Sequence, residues 1–144
     1  FSKIHALAAL RIGYGLGSPA LIQVLERVRS PFNTNHLAQA AAEVAVTDVA
    51  FEGFSRQKNA EAREAFLREA QTHRCQVTGQ AGNFLLLESA HAAVDLYQAL
   101  LAKGVILRPM QGYGLPNHLR VSLGKPEEMA IFWAAAGPLL DCGC

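Results

Sequence analysis

The sequence predicts an α/β protein in which helix and strand signals are unevenly distributed along 144 residues. Three observations carry that reading. Ser18-Pro19 opens a run with Leu21, Val24, Leu25 and Val28 at helical steps. A Glu- and Arg-rich stretch then holds helical character from Val49 to about His73. Beyond Arg74 the texture changes to short apolar runs separated by glycine-containing bends, with helical patterns between and after them.

Taken in order, residues 1–18 (FSKIHALAALRIGYGLGS) place a helix-favouring LAAL before RIGYGLG, which reads as a short strand weakened by three glycines. Ser18 as cap and Pro19 at the first helical position start a helix. It ends near Arg29, because Pro31 prevents continuation. The segment NTNHLAQAAAEVAVTD begins with capping residues and is rich enough in alanine for close helix packing. In the long helix that follows, Glu64 and Arg68 are spaced i, i+4 in the favourable order, and Phe51, Phe54, Phe66 and Leu67 supply apolar contacts. Roughly 25 helical residues span about 37 Å, enough to link two domains. CQVTGQAGNFLLLES holds two short strand candidates around a bend, and HAAVDLYQALLAKG is an amphipathic helix closed by Gly104. VILRPM reads as a third strand, GYGLPN as a loop and HLRVSLG as a fourth strand. KPEEMAIFWAAAGPLL is the last helix, with Pro126 in its first turn and Glu127 and Glu128 placed favourably for the helix dipole. The divisions expected are 1–48, a linking helix at 49–74, and a compact αβ unit at 75–144.

Composition excludes several function classes. The chain is 51% hydrophobic and 17% charged, and 13 Lys and Arg against 12 Asp and Glu leave a net charge of +1. A nucleic-acid-binding module carries a basic excess gathered on one face, and a disordered tail has fewer apolar residues. No unbroken apolar run reaches the length of a membrane span. Cys75, Cys142 and Cys144 are an odd count without metal-type spacing, which argues against a disulfide-stapled fold. The chain begins at Phe1 without a leader pattern, and its first residues read as the middle of an element, so a piece of a longer protein is expected.

Several motifs carry no chemistry. Gly13-Tyr14-Gly15-Leu16-Gly17 fails the dinucleotide fingerprint, and Gly124-Lys125 is followed by Pro126 where a phosphate loop has Ser or Thr. His5, His36, His73, His91 and His118 are scattered without an i, i+4 pair, so no metal site is expected. Cys142-Gly143-Cys144 reads as a frayed end.

Two sets of residues do carry chemistry. Lys3 at a chain bend can form a Schiff base when neighbouring cations or desolvation favour its neutral amine. Arg11 can clamp an anionic group beside it, and the Ser2 hydroxyl can donate to the same anion; taken alone, Lys3 is a solvated surface charge. Arg108 and Arg120 lie inside apolar strand-like runs. A guanidinium buried there requires an anionic partner, either a structural carboxylate or a ligand.

FSKIHALAALRIGYG resembles the Schiff-base lysine segment of fold type I, pyridoxal-phosphate-dependent aminotransferases, whose pattern is roughly S-K-x-[FY]-G-L-A-G-L-R-[IV]-G-[YW]. Ser2, Lys3, Leu7, Ala8, Leu10, Arg11, Gly13 and Tyr14 match. Within that superfamily RVRSPFNTNHLAQAAA, QAGNFLLLES and LLAKGVILRPMQGYGLPNHLRVSLGKPEE, in that order, are most similar to the histidinol-phosphate aminotransferase branch. The resemblance covers essentially all of residues 1–135.

The resemblance implies the C-terminal part of a fold type I transferase: the tail of the large cofactor-binding domain at 1–48, the linking helix at 49–74 and the small αβ domain at 75–144. It implies that Lys3 forms the Schiff base with pyridoxal 5'-phosphate and later shuttles the substrate Cα proton. Ser2 and Arg11 would bind the cofactor phosphate. Arg108 and Arg120 would hold the phosphate of histidinol phosphate and the carboxylate of glutamate or 2-oxoglutarate, since planar guanidinium forks suit both oxyanions. The whole enzyme would be a cytoplasmic homodimer in histidine biosynthesis, with no nucleic-acid or membrane partner.

Departures from the pattern are specific. Ala6 and Ala9 stand where the family has glycine, His5 where an aromatic ring is common, and Lys125 where Thr or Ser caps the helix before Pro126. A methyl at Ala6 or Ala9 strains the lysine turn if the position needs positive φ. The pyridine-pairing aspartate, the ring-stacking aromatic and the glycine-rich cofactor loop lie upstream of the lysine in the family. The isolated chain is therefore expected to be inactive. The alternatives are an aromatic amino-acid aminotransferase, a threonine-phosphate decarboxylase, or a non-catalytic remnant.

Overall fold

A computed structural model describes residues 1–73, 75–79, 81–90 and 92–141. Among these residues are five α-helices and a four-stranded sheet, and the chain divides into two compact units, 1–57 and 58–144.

In the first unit the chain makes a 3-10 turn at Ala8–Leu10, then α1 (Pro19–Val28) and α2 (His36–Thr47). Ser18 caps α1 by accepting from the Leu21 amide at 3.4 Å, with Pro19 at the first helical position. Asn35 caps α2 through its Oδ1 on the Ala38 amide at 2.8 Å. The strand expected over RIGYGLG does not form. Arg11 ends the 3-10 turn at φ +53° and residues 12–17 run without regular structure into the Ser18 cap. Three glycines raise the entropic cost of extending this stretch, and no neighbouring strand in the unit offsets it. Among residues 1–57 only Ala38 and Ala42 are buried, while the apolar face of α1 (Leu21, Val24, Leu25, Val28) is at least 50% exposed at every position.

α3 (Val49–Thr72) starts at Asp48, whose Oδ1 accepts from the Phe51 amide at 2.9 Å. The division between units, Gln57 to Lys58, falls inside this helix. Phe66 and Ala70 reach a core; Phe51 and Phe54 stay exposed and Leu67 is half-buried.

The second unit holds β1 (Val77–Thr78), β2 (Phe84–Glu88), α4 (Ala93–Leu101), β3 (Arg108–Pro109), β4 (His118–Ser122) and α5 (Pro126–Asp141). The strands are antiparallel in the order β1-β2-β4-β3. VILRPM contributes only Arg108 and Pro109 to the sheet, because its start is held elsewhere: the Val105 amide closes α4 on the Leu100 carbonyl, and Val105 and Leu107 pack into or against the core.

Alternation along β2 and β4 sends Leu85, Leu87, Leu119 and Val121 into the core, each at most 1% exposed. Against them pack Phe66, Leu96, Leu100, Phe132 and Trp133. Phe66, Phe132 and Trp133 form an aromatic cluster with centroids 4.7–5.6 Å apart. Gly104 closes α4 at φ +79°, its amide bonding Leu101 O and the Val105 amide bonding Leu100 O, the paired closure that favours glycine. His73 stacks on Trp133 at 5.3 Å and lies so close to Gly137 that a Cβ there would sit 2.5 Å from its ring.

Leu119→Ala is expected to lower unfolding free energy by about 2–5 kcal/mol through the cavity it opens. Leu25→Ala, on a face this chain leaves uncovered, is expected to change it by less than about 0.5 kcal/mol. Urea midpoints at unchanged m-value test the contrast, and an equal loss in both would show that the α1 face is covered in solution.

Candidate active site

The Lys3 segment is built on a tight turn. The Lys3 carbonyl accepts from the Ala6 amide at 2.9 Å, and the Phe1 carbonyl accepts from the Leu7 amide at 3.1 Å. Closing both bonds drives Ala6 into the left-handed region at φ +57°. A Cβ there meets the following carbonyl oxygen at a cost of roughly 1–2 kcal/mol, which glycine escapes. Ala9, the other glycine-to-alanine departure, lies within the 3-10 turn and has no positive φ. The strain therefore falls on one of the two alanines.

The polar groups of this segment are uncommitted to any carboxylate. Lys3 is exposed and forms no ion pair among the described residues, and Ser2 is half-buried. The Arg11 guanidinium donates through Nη1 to the Ala8 carbonyl at 2.8 Å, which leaves its other donors facing solvent. Phe1 packs between His5 and Tyr14, with centroids at 5.0 and 5.8 Å, and His5 Nδ1 is buried without a partner.

Arg108 and Arg120 meet on the sheet. They are directly opposed in the β3–β4 register and so share one face, together with Leu86 across from Arg120. Like charges directly opposed are unfavourable. Arg120 is relieved by Phe84, a diagonal neighbour whose ring centroid lies 4.7 Å from its Cζ. Neither arginine is fully buried: Arg108 is exposed and Arg120 half-buried, so the expected burial inside apolar strands is corrected. Their outward face explains this, since the core takes the alternate residues. No carboxylate among the described residues pairs with either one, and Arg120 Nε is buried without an acceptor. Of the two partners the sequence allows, the structural carboxylate is absent from the described residues.

A cleft of about 640 Å³ opens beside the pair, bounded by residues 104–108, the end of β4 and the first turns of α5. Glu128 borders it, but its Oε2 accepts from the Lys125 amide at 2.7 Å. That contact caps α5 from within where Lys125 has no hydroxyl to do so. Gly124 makes room for it, since a Cβ there would lie 2.5 Å from the same oxygen. The sequence marks Glu128 only as an acid near the helix dipole and does not mark Phe84; the alternation of FLLLE and an acid three residues after Lys125 are the signals that locate the two contacts. No group of three His, Cys, Asp or Glu able to hold a metal occurs among the described residues. His91 and Cys142-Gly143-Cys144 lie outside them.

The family model for aminotransferase class I and II matches residues 1–135. The chain belongs to that family. The aminotransferase chain is 42% identical over 143 residues to histidinol-phosphate aminotransferase 2 of Pseudomonas fluorescens strain Pf0-1, covering 99% of itself and 39% of that protein. It is 44% identical to histidinol-phosphate aminotransferase 2 of Pseudomonas aeruginosa, covering 97% and 38%. It thus spans about two-fifths of the length of these curated relatives. Among solved structures, the histidinol-phosphate aminotransferase of Clostridium acetobutylicum shares the fold at TM-score 0.89 and 22% identity, over 98% of this chain and 44% of that one. The Sinorhizobium meliloti enzyme, in complex with pyridoxal-5'-phosphate, matches at TM-score 0.79 and 25% identity over 100% and 40%. The fold is accordingly a portion of a fold type I aminotransferase. No helix among the described residues is long and apolar enough to cross a membrane.

Ala6→Gly is expected to raise unfolding free energy by about 1 kcal/mol by removing the left-handed strain, and Ala9→Gly to lower it by about 0.5–1 kcal/mol. Denaturant titration of the two variants decides this: equal and opposite signs to these would mean that Ala6 is not held left-handed.

Proposed function

We propose that this chain is the C-terminal part of a histidinol-phosphate aminotransferase, which moves an amino group between histidinol phosphate and 2-oxoglutarate or glutamate. The observation that carries the reading is the Arg108–Arg120 pair. Two guanidinium groups held on one sheet face, one on an aromatic ring and neither on a carboxylate, are suited to the oxyanions that both substrates carry. The names of the relatives at 42% and 44% identity support the same branch.

The donor set around Lys3 fits pyridoxal 5'-phosphate. A lysine amine without an ion pair suits an aldehyde, and a hydroxyl at Ser2 with an arginine free of carboxylates at Arg11 suits a phosphate. The cofactor, when bound, supplies the electron sink for amino transfer. Ser2 and Arg11 would hold its phosphate, and Lys3 Nζ would take and return the proton of the substrate Cα. Arg108 and Arg120 would orient the substrate by its anionic end, so that binding energy is spent on position.

In this reading residues 1–48 belong to the large cofactor-binding domain, 49–74 form the linking helix and 75–144 the small domain of a cytoplasmic homodimer. Residues 1–144 alone do not turn over substrate. The left-handed Ala6 favours a second reading, a non-catalytic remnant in which the lysine turn has lost its glycine.

Borohydride trapping of the chain with pyridoxal phosphate, read by peptide mass spectrometry, separates the two. Selective labelling of Lys3 over Lys58, Lys103 and Lys125 is expected, reduced about tenfold in Arg11→Ala by loss of a charge-assisted contact. Labelling spread evenly over the four lysines, unchanged in that variant, would sink the Lys3 assignment.

A further inference from the structure

His118 begins β4, and its main chain is tied on both sides. Its amide bonds the Leu115 carbonyl at 3.2 Å, and its carbonyl accepts from the Met110 amide at 3.0 Å. With Leu119 and Val121 in the core, the pleat puts His118 on the outward face with Arg120, two residues and roughly 7 Å further along the strand. Arg108 stands directly opposite Arg120 on β3 and is therefore a diagonal neighbour of His118 on that face. The three side chains occupy the corners of a triangle. Glu88, directly opposite His118, lies on the β2 flank, away from β3.

The His118 ring makes no hydrogen bond or ion pair among the described residues, with Glu88 or any other. Its Nδ1 is shielded from solvent without a partner, so the half-buried ring meets solvent through Nε2. With no acceptor at Nδ1, nothing holds the imidazole proton there, and Nε2 is free to carry it as a donor. Arg120 is disposed in the same way: its Nε is shielded, and its terminal nitrogens are left uncovered over the Phe84 ring. A carboxylate has two oxygens, which two guanidinium groups satisfy. A phosphate monoester has a third terminal oxygen, and it needs a third donor.

We propose that His118 is a specificity-determining residue of the arginine site: its Nε2–H donates to the third terminal oxygen of a phosphate monoester whose other two are held by Arg108 and Arg120. The inference rests on the anion-binding reading of the two arginines. It assigns the preference for phosphate over carboxylate to His118, because planar guanidinium forks by themselves accept both. Glu88 does not oppose it, since the triangle opens toward β3 and the carboxylate stands on the other flank of His118.

The test titrates the full chain separately with methyl phosphate and with acetate at fixed ionic strength, following the side-chain NMR signal of Arg120. His118→Phe is expected to weaken methyl phosphate about tenfold, the loss of one hydrogen bond to a charged group, and to leave acetate within about twofold. His118→Gln sets an amide nitrogen where Nε2 was and is expected to keep most of the phosphate affinity. His118→Asn reaches only the place of Nδ1 and is expected to lose as much as His118→Phe. Unshifted amide signals of Leu85 and Leu100, both in the core, certify that each variant is folded. A merely structural role for His118 would lower both anions together or neither. Either result in His118→Phe overturns the inference, as does equal phosphate binding by the Gln and Asn variants. Arg120→Gln tests the reading beneath it and is expected to weaken both anions about tenfold or more. If Arg120→Gln weakens neither, the arginine assignment itself falls, and the role of His118 falls with it.

Discussion

Five consecutive residues of β2 face five of β4, from Phe84 opposite Ser122 to Glu88 opposite His118, and everything in the second unit follows from that register. With side chains alternating across the pleat, it sends Leu85, Leu87, Leu119 and Val121 to the helices and Phe84, Leu86, Arg120 and Ser122 to the other face. A slip of β4 by one residue would bury Arg120 and expose Leu119 and Val121, so the apolar set pins the arginine's position as firmly as it pins the core. The same register brings Phe84 under the guanidinium. The candidate anion site is in this sense a by-product of core packing, with no separate scaffold of its own.

The first unit has no comparable constraint. Its helices are well capped by Ser18, Asn35 and Asp48, yet caps contribute on the order of 1 kcal/mol each and cannot replace a core. Two buried alanines are little apolar area for 57 residues. The apolar face of α1 is patterned for burial against something that residues 1–57 do not contain. Lys3, the proposed Schiff-base residue, sits in this less consolidated unit, on a turn that carries a strained alanine, whereas the arginine pair sits on the sheet of the second unit.

The departures from the family pattern have unequal physical weight. Ala9 is harmless, because a 3-10 turn accepts a methyl. Ala6 is strained, because both turn-closing hydrogen bonds require a left-handed residue there. Lys125 is compensated: Glu128 reaches back to its amide, and the missing Cβ of Gly124 leaves the space for that carboxylate. Substitutions that look alike in a sequence differ by whether the backbone around them has another way to satisfy its groups.

Much of this was legible without coordinates. Ser18-Pro19, Gly104 and Pro126 mark helix ends through local chemistry that needs no tertiary partner, and the alternation of FLLLE and HLRVS marks two strands that do pair. RIGYGLG was misleading because a strand exists only where another strand accepts its hydrogen bonds. VILRPM shrank to two residues because its start is claimed by the closing bonds of α4 and the core. Lys3, Arg11, Arg108 and Arg120 could be singled out from residue type and family pattern. That Arg108 and Arg120 are opposed, that Phe84 carries one of them, and that no described carboxylate answers either were decided by strand register alone. Local sequence sets propensities and chemical capability, whereas which groups meet depends on long-range pairing that sums over the whole core.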